Sequence, residues 1–391
     1  MQTVAFYTLG CKVNQYETNA MAEKFLKSGY EIVDFEEKSD IYVINTCTVT
    51  NMADRKSRQI IRRVKQINKE SILVVTGCYA QVASKELESI QDVDLVVGNT
   101  EKKDIVNIVE NYKIKNNKIN LTDINQEKEF TDFGTTTYTE KTRAVIKVQD
   151  GCNNFCSYCI IPYAKGRVRS RRVENVIEEV TKIAKEGIQE VVITGIHVAS
   201  YGIDFKNSSV RLIDLLEEIN KIEGIKRIRL GSLEPNIITD DFVQRLKKVN
   251  KICDQFHLSL QSGCNETLKR MNRKYTIEDF TKVVKRLRDA FPNVMLTTDI
   301  IVGFPGETDK EFEITYNYLK EIKFYKMHIF KYSPRKGTIA EKMPNQVNGN
   351  IKEERSHELI KLSNKNEENY LNKYIGKEID VLFEQEENRI L

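Results

Sequence analysis

Short apolar runs alternate with longer segments of helical periodicity through the first part of the chain. VAFYTLG (4–10), IYVIN (41–45), ILVVT (72–76) and DLVVG (94–98) read as strands. Helical patterns near 15–28, 52–68, 80–90 and 103–112 follow them, and in the first of these Met21, Phe25 and Leu26 share one face. Strands that are apolar on both faces, each followed by a helix, predict a parallel sheet covered on both sides. The expectation is an α/β, doubly wound, flavodoxin-like domain over 1–115.

The periodicity fails between 113 and 141, where KIKNNKIN, QEKE and TTTYTEKT are polar and aperiodic. A linker is expected over 116–140. A second β/α series starts at AVIKV (144–148), with strands at 144–149, 190–194, 226–230, 256–260, 295–302 and 325–330 and helices such as 173–186 and 210–222 between them. Six β/α units predict an open, partial barrel rather than a closed eight-unit one. Residues 351–374 read as a polar helix. KEIDVLFEQ (377–385) has strand character, so 371–391 is expected to be the beginning of a small β module that is cut short.

A length of 391 residues fits two or three domains. No apolar run approaches the roughly 18 residues of a membrane span. The start, MQTVAFYTLGCKVNQ, lacks the basic and apolar regions of a secretory signal. A cytoplasmic protein with no membrane partner is expected. Eight cysteines are too sparse here for a disulfide scaffold, which points to metal ligands, redox chemistry or buried thiols. Four scattered histidines do not form a His-rich metal site.

The cysteines sort into two triads. Cys152, Cys156 and Cys159 lie in GCNNFCSYC directly after the strand 144–149, spaced C-x3-C-x2-C. A zinc site usually wants four ligands, whereas three thiolates with no local histidine suit an iron–sulfur cubane with one iron left open. The plainer alternative is structural zinc with a remote fourth ligand. Cys11, Cys47 and Cys78 each sit just beyond the carboxyl end of a predicted strand. In an open α/β sheet those ends converge on one crevice, so the three thiols are expected to meet. Three separately buried small residues are the plainer reading here. Cys253 and Cys264 share no such pattern and receive no role.

GCNNFCSYC at the end of the first strand of a β/α barrel resembles the radical S-adenosylmethionine (SAM) enzymes. GCKVNQYET, NTCTVTNMADRKSRQ and TGCYAQ resemble the N-terminal domain of the methylthiotransferases within that superfamily. HLSLQSGCNETLKRMNRKYT and TTDIIVGFPGET are similar to the later part of their radical SAM domain. YIGKEIDVLFEQ is similar to the opening of their C-terminal TRAM module. Within the family, the segments after Cys11 and Cys47 most resemble the bacterial threonylcarbamoyladenosine tRNA methylthiotransferases. The resemblance implies three parts: an N-terminal domain, a radical SAM core over 141–370 and a truncated TRAM domain.

It also implies a reaction, the insertion of a methylthio group at C2 of N6-threonylcarbamoyladenosine beside the tRNA anticodon. Cys152, Cys156 and Cys159 would hold a [4Fe–4S] cluster that binds and cleaves SAM, and would be the catalytic set. Cys11, Cys47 and Cys78 would hold a second cluster that carries sulfur. An inert aromatic C–H bond calls for such a radical cofactor, and a thiophilic iron suits sulfide. The implied partners are the tRNA anticodon loop, an electron-donor protein and a sulfur donor. The same chemistry on isopentenyladenosine or on a ribosomal-protein aspartate is the near alternative; an iron–sulfur electron carrier or RNA-binding scaffold is the distant one.

Further cofactor-binding candidates lie at strand ends. Tyr158 is placed to stack on an adenine. Gly195 and His197 lie in TGIHVASYG, Glu234 in GSLEP, Gln261 in LSLQSG and Gly303 in IVGFPGE. Gly195 and His197 have a plainer reading as part of a simple βα turn. No catalytic triad or Walker motif is present.

The net charge of +4 is a sum of unlike parts. Residues 141–172 carry Lys141, Arg143, Lys147, Lys165, Arg167, Arg169, Arg171 and Arg172 against Asp150 alone. The helix over 55–65 places Arg55, Arg58, Arg62 and Lys65 on one face, while 351–391 is slightly acidic. Basic clusters of this kind are expected to meet RNA phosphates.

Overall fold

The computed structural model describes residues 1–115, 118–134, 136, 142–379 and 381. The first sheet contains β1 (Thr3–Thr8), β2 (Glu31–Val33), β3 (Ile41–Thr46), β4 (Ile72–Gly77), β5 (Leu95–Val97) and β6 (Ile119–Asn120). Its order is β2-β1-β3-β4-β5-β6 and every pairing is parallel. The order of its first five strands, 2-1-3-4-5, is that of flavodoxin. All six residues of β3 are buried, which is why this strand reads as an unbroken apolar run.

Two details differ from the sequence pattern. The short edge strand β2 has no strong signal, because one of its three residues is exposed and none is buried. The helix expected near 80–90 is two short helices, Cys78–Val82 and Ser84–Glu88, broken at Ala83. Within the polar segment 116–140, β6 pairs with β5, and Ile124 and Phe133 are buried.

The second body is a split barrel. β7 (Arg143–Asp150), β8 (Arg169–Ser170), β9 (Glu190–Gly195) and β10 (Arg227–Leu230) form a sheet in the order β10-β9-β7-β8. β11 (Gln255–Gln261), β12 (Met295–Val302) and β13 (Lys326–Lys331) form another in the order β11-β12-β13. Parallel bridges Ile228↔Ile252 and Leu233↔Leu258 join them. Six of these strands are parallel within their sheets, and β8 runs antiparallel to β7, so the β/α curl stays open. One continuous apolar core fills its wall, from Ala144 and Ile146 through Leu258 and Leu296 to Met327.

The helix Gly349–Leu371 covers β13 beside the open edge. Its Arg355 pairs with the buried Glu307 at 2.6 Å, and its Ser363 Oγ accepts from the Met327 N–H. The β module expected from 371 onward lies mostly outside the described residues. No helix among the described residues is long and apolar enough to cross a membrane.

The two bodies dock through charge. The helix Lys12–Lys27 of the first packs on β7 of the second. Glu17 on that helix, fully buried, receives Lys147 from β7 and Lys165 from the helix Ile161–Lys165, each at 2.7 Å, together with Lys102 from its own domain. Lys147 also reaches Asp150 at 2.6 Å, with Arg169 near the same carboxylate. Of the eight basic residues expected over 141–172 to face RNA, Lys147, Lys165, Arg169 and Arg171 are therefore interior: Arg171 is buried on Glu179. Periodicity conceals this, because each basic side chain is buried only through the carboxylates that the fold brings to it, above all the distant Glu17 for Lys147 and Lys165. Arg167 and Arg172 stay exposed, and Lys141 lies outside the described residues.

Candidate active site between two thiol triads

β1, β3 and β4 are neighbours in one parallel sheet, so their carboxyl ends lie side by side. Cys11 caps the helix Lys12–Lys27, Cys47 follows β3 and Cys78 opens the helix after β4. Two glycines in left-handed conformation permit the approach. Gly10 has φ +105°, and a Cβ there would lie 3.0 Å from the Cys47 Sγ. Gly77 has φ +98°, and its Cβ would lie 2.4 Å from the Thr46 carbonyl oxygen. Burial pushes the Cys78 thiol up to about 12 against the pull of Lys165, and Cys47 and Cys11 add to the rise. Burial also raises Cys47, with Cys11 again contributing.

The second triad sits on the loop after β7. Phe155 takes a positive φ of 47°, and the Cys159 N–H donates to the Cys156 carbonyl at 2.9 Å. The Asn154 N–H points at the Cys152 Sγ at 3.5 Å, and Arg273 donates to the Cys156 Sγ at 3.1 Å. Burial raises Cys152 to about 11 and Cys159 to about 12, and the neighbouring Cys156 adds to both.

The spacing of the thiols bears on what they hold. A tetrahedral zinc ion with bonds of about 2.3 Å needs sulfurs about 3.8 Å apart. Among the described residues no three thiols lie mutually within 4.8 Å, and none of the cysteines is in a disulfide. Each triad is therefore too open for one ion and suits a larger iron–sulfur cluster, which three thiolates anchor with one iron left free.

The second triad and Cys11 of the first line one cavity of about 760 Å³ between the two bodies, while Cys47 and Cys78 lie behind Cys11, outside its lining. Cys11 lines it on one side and Cys152, Cys156 and Cys159 on the other. Tyr158, Gly195, His197, Glu234 and Gln261 line it as well, so the structure brings these sequence candidates together. A Cβ on Gly195 would lie 2.9 Å from the Gln149 carbonyl, so glycine lets β9 end against β7. His197 approaches the Glu234 carboxylate at 3.2 Å, and Asn154 approaches the same His197 Nε2 at 3.2 Å. Burial opposes charge on Glu234, but the His197 hydrogen bond and Arg273 at 2.7 Å hold its carboxyl below the usual range. Gln261 has φ +71°, where β11 bulges into the loop.

Gly303 does not reach the cavity. A Cβ there would lie 2.3 Å from the Lys352 side chain, and its N–H donates to Glu307 at 2.9 Å. Its glycine serves the packing of the C-terminal helix. Cys253 and Cys264 also lie apart from the cavity lining. Periodicity and spacing missed Arg273, which joins the cluster loop to Glu234. It lies in a loop twelve residues beyond β11, and only the tertiary fold returns it to the site.

A partial β/α barrel with three cysteines on the loop after its first strand, facing one open cavity, defines the class of radical SAM enzymes. Residues 146–319 match the Radical SAM superfamily, and residues 3–98 match the Uncharacterized protein family UPF0004. The chain is 45% identical to the threonylcarbamoyladenosine tRNA methylthiotransferase MtaB of Bacillus subtilis, over 98% of this chain and 85% of that protein. It is 44% identical to the protein of the same name from Aquifex aeolicus, over 99% and 94%. Among solved structures it shares the fold of the radical SAM methyltransferase TsrM of Kitasatospora setae, with a TM-score of 0.63, 15% identity and coverage of 85% of this chain and 77% of that one. The chain belongs to the methylthiotransferase family of radical SAM enzymes.

Proposed function

We propose that this chain inserts a methylthio group at C2 of N6-threonylcarbamoyladenosine beside the anticodon of tRNA. The observation that carries this reading is the single cavity lined by Cys152, Cys156 and Cys159 on one side and by Cys11 of the other triad opposite them. One triad alone would support SAM cleavage; a second, reaching the same space through Cys11, supplies a place for the sulfur that is transferred. The relatives named above bear this activity in their names, and their similarity runs nearly end to end.

Cys152, Cys156 and Cys159 would hold one [4Fe–4S] cluster, and Cys11, Cys47 and Cys78 the other. When bound, the cofactors supply the one-electron cleavage of SAM that activates the C2–H bond and the sulfur that replaces the hydrogen. The chain's own residues shape the space. Arg273 fixes the Cys156 sulfur and the Glu234 carboxylate together, and His197 holds the other Glu234 oxygen. Glu234 stays ionised beside them and so remains a hydrogen-bond acceptor for hydroxyls of a bound nucleoside. Gly195 and Tyr158 shape the cavity wall around it.

An unstacked anticodon-loop base enters such a pocket at little cost. Arg55, Lys56 and Arg62 remain exposed on the helix Asn51–Ile67 and offer phosphate contacts. Arg58 and Lys65 are partly engaged within the domain, on Tyr79 and on Asp94. An electron-donor protein and a sulfur donor complete the reaction. The test is mass spectrometry of tRNA nucleosides from a deletion strain. Selective loss of the methylthio-threonylcarbamoyl nucleoside supports the reading, and its persistence refutes it. Loss of a methylthio-isopentenyl nucleoside instead assigns the other substrate.

A further inference from the structure

We infer that the barrel carries a third metal site, for a divalent first-row transition ion, built from His257, Asp299 and His328. These residues lie on β11, β12 and β13, the three adjacent strands at the open side of the barrel. Their ligand atoms all lie within 4.8 Å of one another, the one such group of three among the described residues. All three line the same cavity as the cysteines. Two imidazoles and one carboxylate, with no thiolate, form the donor set of zinc and non-haem iron(II) sites that keep open positions.

The local geometry fits ligation better than a simple ion pair. The His257 Nε2 lies 3.2 Å from the Asp299 Oδ2. Yet this nitrogen is shielded from solvent and has no hydrogen-bond partner. Two neighbouring ligands bound at about 2.1 Å, at angles of about 90° to 109°, stand about 3.0–3.4 Å apart, and their lone pairs converge on the ion rather than on each other. The His257 Nδ1 is held by the Thr297 hydroxyl at 3.0 Å, with Gln255 reaching the same oxygen at 3.3 Å. This outer contact fixes the ring plane as metal-binding histidines require. The His328 ring lies 5.8 Å from that of His257 and is exposed toward the barrel opening, so the ion has a path in.

The open positions face the cavity where the target nucleoside would sit. Resting on the function proposed above, they would take a carboxylate oxygen of the threonylcarbamoyl group, an anionic hard donor that the isopentenyl group lacks.

The test uses anaerobically reconstituted enzyme equilibrated with Co(II), with cobalt and iron counted together by mass spectrometry after dialysis. The enzyme is expected to bind about one cobalt beyond the iron of its clusters. His328→Ala and Asp299→Asn should each weaken cobalt binding at least about tenfold, as loss of a ligand does, with iron content unchanged. His328 is exposed, so its variant keeps the fold. Failure to bind cobalt, or equal binding by the variants, overturns the site. A KM for the threonylcarbamoyl-bearing tRNA that does not rise in His328→Ala, despite lost cobalt, overturns the substrate contact alone. Wild-type enzyme that binds cobalt but does not modify this tRNA refutes the proposed substrate and leaves the metal site standing.

Discussion

Replacing Glu17 by Gln removes the hub of the charge network that docks the two bodies. Four buried cations, Lys102, Lys147, Lys165 and Arg169, face two carboxylates, Glu17 and Asp150, so the network already holds two excess positive charges. Part of that excess faces Cys78, whose thiolate Lys165 favours. In Glu17→Gln, Lys147 keeps Asp150 and Lys102 keeps the Asn45 amide oxygen at 3.1 Å, but Lys165 loses its carboxylate. Breaking a buried pair by removing one partner costs about 3–5 kcal/mol, a large share of the roughly 5–15 kcal/mol that holds a domain folded. Lys102 limits the loss, because burial has already lowered its pKa to about 8 and it can shed its proton.

The pH dependence follows from the same contacts. Burial opposes ionisation of Glu17, but Lys102, Lys147 and Lys165 hold its carboxyl well below the usual 4.5. A depressed carboxyl contributes stability above its unfolded pKa and loses it as pH falls through the folded one. The gap between wild type and Glu17→Gln should therefore be widest near neutrality and close on acidification below about 4.5. The assay is urea unfolding of the cluster-free protein under reducing, anaerobic conditions, followed by circular dichroism because the chain has no tryptophan. A loss below about 1 kcal/mol, or a gap unchanged between neutral pH and pH of about 4, would refute the assignment of Glu17 as the buried hub.

Iron analysis after anaerobic reconstitution should give about eight irons per chain, and about four when Cys11, Cys47 and Cys78 are all Ala; a wild-type value near four sinks the second cluster. The Cys152, Cys156 and Cys159 triple-Ala variant should form no 5′-deoxyadenosine, and detection of that product by chromatography would remove the catalytic role. Gly77→Ala must place a Cβ 2.4 Å from the Thr46 oxygen at φ +98°, so melting temperature should fall and reconstituted iron should drop toward the single-cluster value. Normal iron and stability in that variant would show that the β4 turn has room to shift. Arg335→Ala removes the 2.6 Å bonds to Asp54 and Thr48 that tie the barrel to the turn after Cys47, leaving a mostly buried carboxylate unpaired at a cost of about 3–5 kcal/mol by thermal or urea unfolding. A loss under about 1 kcal/mol would show that water replaces the guanidinium.

Much of the fold was legible along the chain because its central strands are buried on both faces. β3, β4 and β9 read as apolar runs, β10 and β11 alternate buried and half-buried positions, and helices between them carry one-sided patterns. The edge strands were not legible: β2 has no buried residue, and β6 is two residues long. The cysteines were legible for two different reasons. Cys152, Cys156 and Cys159 are close in sequence. Cys11, Cys47 and Cys78 share one position relative to their strands, and parallel pairing turns that shared position into proximity.

The basic run of 141–172 misleads for a physical reason. Along the chain a lysine that faces solvent and one that faces a buried carboxylate look alike; Glu17, more than a hundred residues away, decides which Lys147 and Lys165 are. His257, Asp299 and His328 are equally silent in sequence, each on a separate strand among other polar residues. The sequence by itself determined the β/α alternation, the two triads and the family, since those rest on local burial pattern and spacing. The tertiary structure alone decided that Cys11 faces the barrel triad across one cavity, that Arg273 and Glu234 meet at the cluster loop, that Gly303 serves packing and that three barrel strands bring a histidine pair and a carboxylate together. Contacts of that kind depend on strand order and register, which no local pattern of hydrophobic and polar residues encodes.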